Sequence, residues 1–100
     1  MIVTIKEQDG KTMVILDGRI DSTNANQFQD DLAPLMEGEQ PDIDIDCTKM
    51  TYTSSQGLRV FLLLQKSVVS RDGQMVLRNM HPRVKEVFDI TGFSNIITIV

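Results

Sequence analysis

The sequence predicts one α/β domain: a mixed, mostly parallel β-sheet that opens with an antiparallel hairpin and carries about three helices, in the order β-β-α-β-α-β-α-β. Three observations predict it. The chain has 100 residues, the length of a single domain, so residues 1–100 form one unit with a core of its own. Apolar segments of strand character alternate with segments whose apolar residues recur every three or four positions, and that alternation implies right-handed crossovers onto a parallel sheet. Only the first two strand segments lack a helix between them, and the stretch joining them contains Asp9-Gly10, a strong hairpin signal.

The first strand is expected over residues 2–6 and the second over 12–16, where Met13, Val14, Ile15 and Leu16 follow one another. From Asp17 the texture becomes polar, and Asp17-Gly18-Arg19-Ile20-Asp21 reads as a strand exit and loop. Asp21-Ser22-Thr23-Asn24 offers side-chain oxygens to the free N–H groups of a helix start. Ala25, Phe28, Leu32, Leu35 and Met36 then mark one helix face, with Pro34 forcing a kink or an end near residue 33. Residues 42–47 alternate aspartates with Ile43, Ile45 and Cys47, so the apolar set faces one way and the aspartates the other.

A polar stretch without helical period follows at 48–55, and a helix is expected from Gln56 to about Val69, apolar around much of its girth. Gly73 is the expected cap of that helix. Residues 74–78 read as a strand, residues from Pro82 as a short helix closed by Gly92, and residues 96–100 as the last strand.

Composition removes several functional classes. Ten Lys and Arg against fourteen Asp and Glu give a net charge of -4, and there are only five aromatic residues, so binding to nucleic acid or to an anionic membrane surface is not expected. Cys47 and His81 are the only cysteine and histidine, which leaves no disulfide and no multi-histidine metal site; no cofactor is implied. The longest wholly apolar run is 60–64, and the start lacks the pattern of a signal peptide, so a cytoplasmic location is expected.

The informative stretch is 52–60, Tyr-Thr-Ser-Ser-Gln-Gly-Leu-Arg-Val. It places two hydroxyls where a strand gives way to a helix, beside unpaired N–H groups and the positive end of the helix dipole. Ser54 or Ser55 caps the helix on the simplest reading; alternatively, a phosphate carried by Ser55 is held there. Gly57, with no Cβ, would let another surface come close. A hydrolytic nucleophile is a third reading, but no Gly-x-Ser-x-Gly elbow surrounds these serines, and the only base to recruit is His81. Asp21 reads either as a helix cap or as an interface residue.

Three segments, in order, carry a resemblance over nearly the whole chain. Gly18-Arg19-Ile20-Asp21-Ser22-Thr23-Asn24, the stretch 50–60, and 81–93 from His81-Pro82 through Gly92-Phe93 resemble the motifs of STAS domains, specifically the stand-alone bacterial anti-sigma factor antagonists. That resemblance implies a STAS-type domain without catalytic activity, which binds an ATPase-type anti-sigma factor serine kinase and so releases a sigma factor. It implies that the kinase phosphorylates Ser55 to end the association, that a PP2C-type phosphatase reverses this, and that Asp21, Thr23, Ser54, Ser55, Gln56, Gly57 and Arg59 lie at the partner interface. Two departures stand out: Ser54 occupies a place where some members have aspartate, and many members carry a fourth helix after the last strand, where this chain reaches Val100. The second reading of the same resemblance is a non-phosphorylated STAS module that binds protein in a transporter or sensory complex.

Overall fold

A computed structural model describes residues 1–100. Strand β1 (Ile2–Gln8) turns at Asp9-Gly10 into β2 (Lys11–Ile20), and both turn residues have positive φ, 53° and 80°. That is the twist a two-residue hairpin turn needs, and it fixes the antiparallel register from Ile2↔Asp17 to Gln8↔Lys11. Helix α1 (Ala25–Asp31) follows, then β3 (Asp42–Thr53), α2 (Ser55–Ser70), β4 (Gln74–Arg78), α3 (Pro82–Ile90) and β5 (Thr98–Ile99). The sheet runs β1-β2-β3-β4-β5, parallel from β2 onward, as the alternation of strand and helix requires.

Alternate strand residues enter one core. Val14, Leu16, Ile43, Ile45, Cys47, Met75 and Leu77 are buried, and the helices cover them. Each helix contributes one phenylalanine to that cover. Phe61 of α2 stands between Phe28 of α1 and Phe88 of α3, with edge-to-face ring centroids 5.3 and 5.6 Å apart. Such pairs add about 0.5–1.5 kcal/mol beyond the area they bury, so α2 is the element on which the other two are registered.

Pro34 acts as expected. Helix α1 stops at Asp31, and Ala33–Met36 continue as a 3-10 turn with the proline in its first turn, where a missing N–H costs nothing.

Several boundaries differ from expectation, each for a physical reason. Strand β2 does not exit at Asp17. It runs on to Ile20 across register shifts beside Asp17 and Gly18, the latter at φ 115°, because β3 also runs on to Thr53 and offers a ladder. The polar stretch 48–53 is that extension, carried by threonines and Tyr52, which suit a half-exposed strand. The last strand is only two residues: Ile96 is outside it, and its carbonyl accepts from the Gln65 side chain at 3.1 Å.

Gly73 is not the left-handed residue that ends α2. Asp72 takes that conformation at φ 58°, and the N–H groups of Asp72 and Gly73 bond back to Val69 and Val68. Gly73 is required instead by the carbonyl and ring of Pro41, which occupy the space a Cβ would fill. Asp44 faces away from Ile43 and Ile45, as the alternation requires, yet is buried, its carboxylate paired with Arg78 at 2.6 Å and with Lys11 at 3.8 Å.

Candidate functional site

The parallel pairing of β2 and β3 decides where the motifs meet. Ile20 and Thr53, the last residues of the two strands, are register partners, and the Ser54 N–H donates to the Ile20 carbonyl at 2.9 Å. The loop that begins at Asp21 and the junction that begins at Ser54 therefore leave the sheet side by side.

At the junction three consecutive hydroxyls have three different fates. Thr53 is 3% exposed, and its hydroxyl donates to the Ser54 carbonyl. Ser54 is the N-cap of α2: its backbone is extended, and its Oγ accepts the Gly57 N–H at 3.3 Å. Ser55 is the first residue of α2 and exposed, and its hydroxyl touches only the side chain of its neighbour Gln56, at 3.3 Å. Of the two serines, the cap is Ser54 and the free hydroxyl is Ser55. The cap holds the junction that presents Ser55 at the positive end of a 16-residue helix.

The space a side chain at Gly57 would need is filled from inside the fold. Gly57 is buried, and a Cβ there would collide with the Thr53 hydroxyl and come within 2.9 Å of the Ile20 Cγ2. The close approach it allows is that of α2 onto the ends of β2 and β3, which sets the angle at which Ser55 leaves the sheet. Gln56 and Arg59 are exposed on α2. Arg59 lies one turn beyond Ser55 and makes no ion pair. With Ser22, Asn26, Gln29 and Leu63 they line a shallow groove between α1 and α2.

On the neighbouring loop the side chains of Asp21, Thr23 and Asn24 are already engaged. Asp21 accepts the N–H of Thr23 at 2.9 Å and also its hydroxyl, and pairs with Arg19 at 3.2 Å. The Thr23 hydroxyl, then its N–H and the Arg19 cation, hold the Asp21 carboxyl below the usual range. Asp21 therefore does not cap α1 with its side chain; it builds the turn before it. Asn24 locks the same turn, its amide donating to the Arg19 carbonyl at 2.8 Å and its oxygen accepting the Asp21 N–H at 2.9 Å.

Arg19 and Tyr52, which the sequence did not single out, meet one register position before the junction. They are cross-strand partners, the guanidinium lies 5.1 Å from the ring centroid, and Tyr52 is 46% exposed. The signal was available only to a reading that carried β2 and β3 beyond residues 16 and 47.

The Ser55 hydroxyl has no base among its hydrogen-bond partners. His81 begins α3, and its Nδ1 accepts the Arg83 N–H at 3.1 Å. Cys47 is buried, its thiol pushed up to about 12 by burial and by Asp46 beside it. No three metal-ligating side chains cluster, and no helix is long and apolar enough to cross a membrane.

Comparison with known proteins gives one answer. A STAS domain profile matches residues 3–100. The chain is 36% identical over 96 residues to a Bordetella bronchiseptica protein named as an anti-sigma factor antagonist, BtrV, covering 96% of this chain and 83% of that one. It is 34% identical over 97 residues to the anti-sigma-B factor antagonist of Bacillus subtilis, covering 97% and 88%. Among solved structures it superposes on the anti-sigma factor antagonist SpoIIAA in its unphosphorylated form with a TM-score of 0.78 at 16% identity, covering 99% and 88%. The Bacillus SpoIIAA structure in the phosphorylated form gives 0.71 at 14% identity, covering 99% and 91%.

Proposed function

This chain belongs to the STAS domain family, and from that membership we propose that it is an anti-sigma factor antagonist switched off by phosphorylation of Ser55. Unmodified, it binds an ATPase-type serine kinase that also acts as the anti-sigma factor, and the sigma factor goes free. The kinase then uses the bound antagonist as substrate. Ser55 Oγ attacks the γ-phosphorus of ATP, an O–P bond forms, the bond to the β-phosphate oxygen breaks, ADP departs, and the hydroxyl proton passes to a base on the kinase. A PP2C-type phosphatase hydrolyses the ester and restores the binding form. The protein itself is a substrate and a ligand, not a catalyst.

One observation carries this reading: of the three hydroxyls at the junction, only that of Ser55 is both exposed and free of a structural task. The electrostatics support the direction of the switch. A phosphoserine adds about -1.5 to -2 charges at pH 7, and the start of α2 favours an anion by about 0.3–1 kcal/mol, so the fold tolerates the modification. An interface built to receive a neutral hydroxyl does not, because the dianion loses its water without gaining matched cations.

Incubation with the anti-sigma kinase of the same organism and ATP tests this. Intact-mass measurement is expected to show one added phosphoryl group, and none in Ser55→Ala. Persistence of the added mass in Ser55→Ala, mapped to Ser54 or Thr53, overturns the assignment.

A further inference from the structure

The two edges of the sheet are finished differently. At one edge β5 has two residues, follows a 3-10 turn, and has Gln65 bonded to the Ile96 carbonyl just before it. That strand is too short to template another. At the other edge β1 runs for seven residues in unbroken register with β2, without proline, glycine or bulge, and none of the backbone hydrogen bonds outside the regular elements involves it. One side of its backbone has no partner. Its core-side residues Val3 and Ile5 are only half-buried at the rim of the core, and Ile2 on the open face is 66% exposed.

We infer that β1 is a docking edge for a second copy of this chain, the two β1 strands pairing antiparallel about a two-fold axis through Thr4 to make one continuous ten-stranded sheet. The sequence of the strand selects both partner and register. With the axis at Thr4, Val3 lies opposite Ile5 of the other copy, and the two half-covered rims of the core close on each other. Ile2 lies opposite Lys6, whose aliphatic stem covers it while the ammonium reaches water. Thr4 meets its own copy, a favourable cross-strand pair.

The registers shifted toward the turn are worse in their side chains, and an axis at Val3 pairs only residues 2–4 of the strand. An axis at Ile5 sets Val3 against Glu7, and an axis at Lys6 sets two ammoniums opposite each other. Pairing uses the lateral edge of the sheet and leaves both copies of Ser55 in solvent, so this inference stands or falls separately from the proposed switch.

Sedimentation equilibrium on the intact chain tests it. From micromolar to millimolar protein, the weight-average mass is expected to rise from 11.3 kDa toward twice that value. Thr4→Glu, an exposed position where substitution spares the fold, is expected to raise the dimer dissociation constant about tenfold or more by facing two carboxylates. Thr4→Cys brings two α-carbons to about 4.5–5.5 Å and is expected to form an intermolecular disulfide under oxidation, whereas Lys6→Cys, off the axis, is not. The buried native Cys47 does not compete. A monomer mass across the whole range, or cross-linking of Lys6→Cys as fast as Thr4→Cys, overturns the inference.

Discussion

Two helix starts lie side by side at one end of the sheet, and they use the same kinds of residue to opposite ends. Before α1, Asp21, Thr23 and Asn24 bond to one another and to Arg19, and the cluster is closed. Before α2, one serine does the structural task and the next has none. Asp21, Thr23 and Asn24, engaged with one another, are scaffold, and the exposed Ser22 between them takes no part in that cluster. A hydroxyl to spare on a residue held in place by its capping neighbour is where a group can be added without cost to the fold. The closed start also serves the open one, because the Ile20 carbonyl anchors the Ser54 N–H.

The largest effect on this arrangement is expected from Gly57→Ala. The added methyl has to displace Thr53 or Ile20, an overpacking that costs about 1–3 kcal/mol and tilts the first turn of α2; urea unfolding reads the loss. The two serines come next and separate cleanly. Ser54→Ala removes the cap and is expected to lower stability by about 1 kcal/mol, whereas Ser55→Ala changes it by less than about 0.5 kcal/mol. Equal effects would erase the distinction between the two hydroxyls.

The smallest effect is at the closed cluster. Thr23→Ala removes the main cause that lowers the Asp21 pKa, so the carboxyl is expected to titrate closer to 3.8 in a carbon-detected NMR titration. The sign follows from linkage: a carboxyl whose folded pKa lies below the unfolded one stabilises the fold above the unfolded value and loses that contribution as pH falls through the folded one. In the variant that acid dependence shrinks.

Element order, sheet type and the hairpin were legible because alternation, periodicity and Asp9-Gly10 are local signals. The C-terminal ends of β2 and β3 were not. Thr48–Thr53 carries few apolar residues, and its strand character comes from pairing with β2, which no window of one segment contains. The same blindness hid Arg19 and Tyr52, which face each other only once both strands are extended. Which serine caps was likewise undecidable in the sequence, since it depends on the extended backbone of Ser54. The burial of Asp44 was hidden for the same reason: it obeys the alternation, and the Lys11 and Arg78 that pair with it come from the flanking strands.

The site was legible in part. The stretch around Ser55 was visible as two hydroxyls between strand and helix, but Gly57 read as an open approach when its missing Cβ is filled from inside by Thr53 and Ile20. A glycine in a helix start signals closeness; only the packing tells on which side.

The central claim is that a phosphate on Ser55 changes what the surface accepts and leaves the fold as it was. Calorimetric titration of the anti-sigma kinase with the unmodified and the Ser55-phosphorylated protein, alongside the thermal unfolding of both, tests it most directly. The account predicts matching unfolding midpoints and an affinity at least about tenfold weaker for the phosphorylated form. Equal affinities, or a phosphorylated chain that has lost its cooperative unfolding, would contradict it.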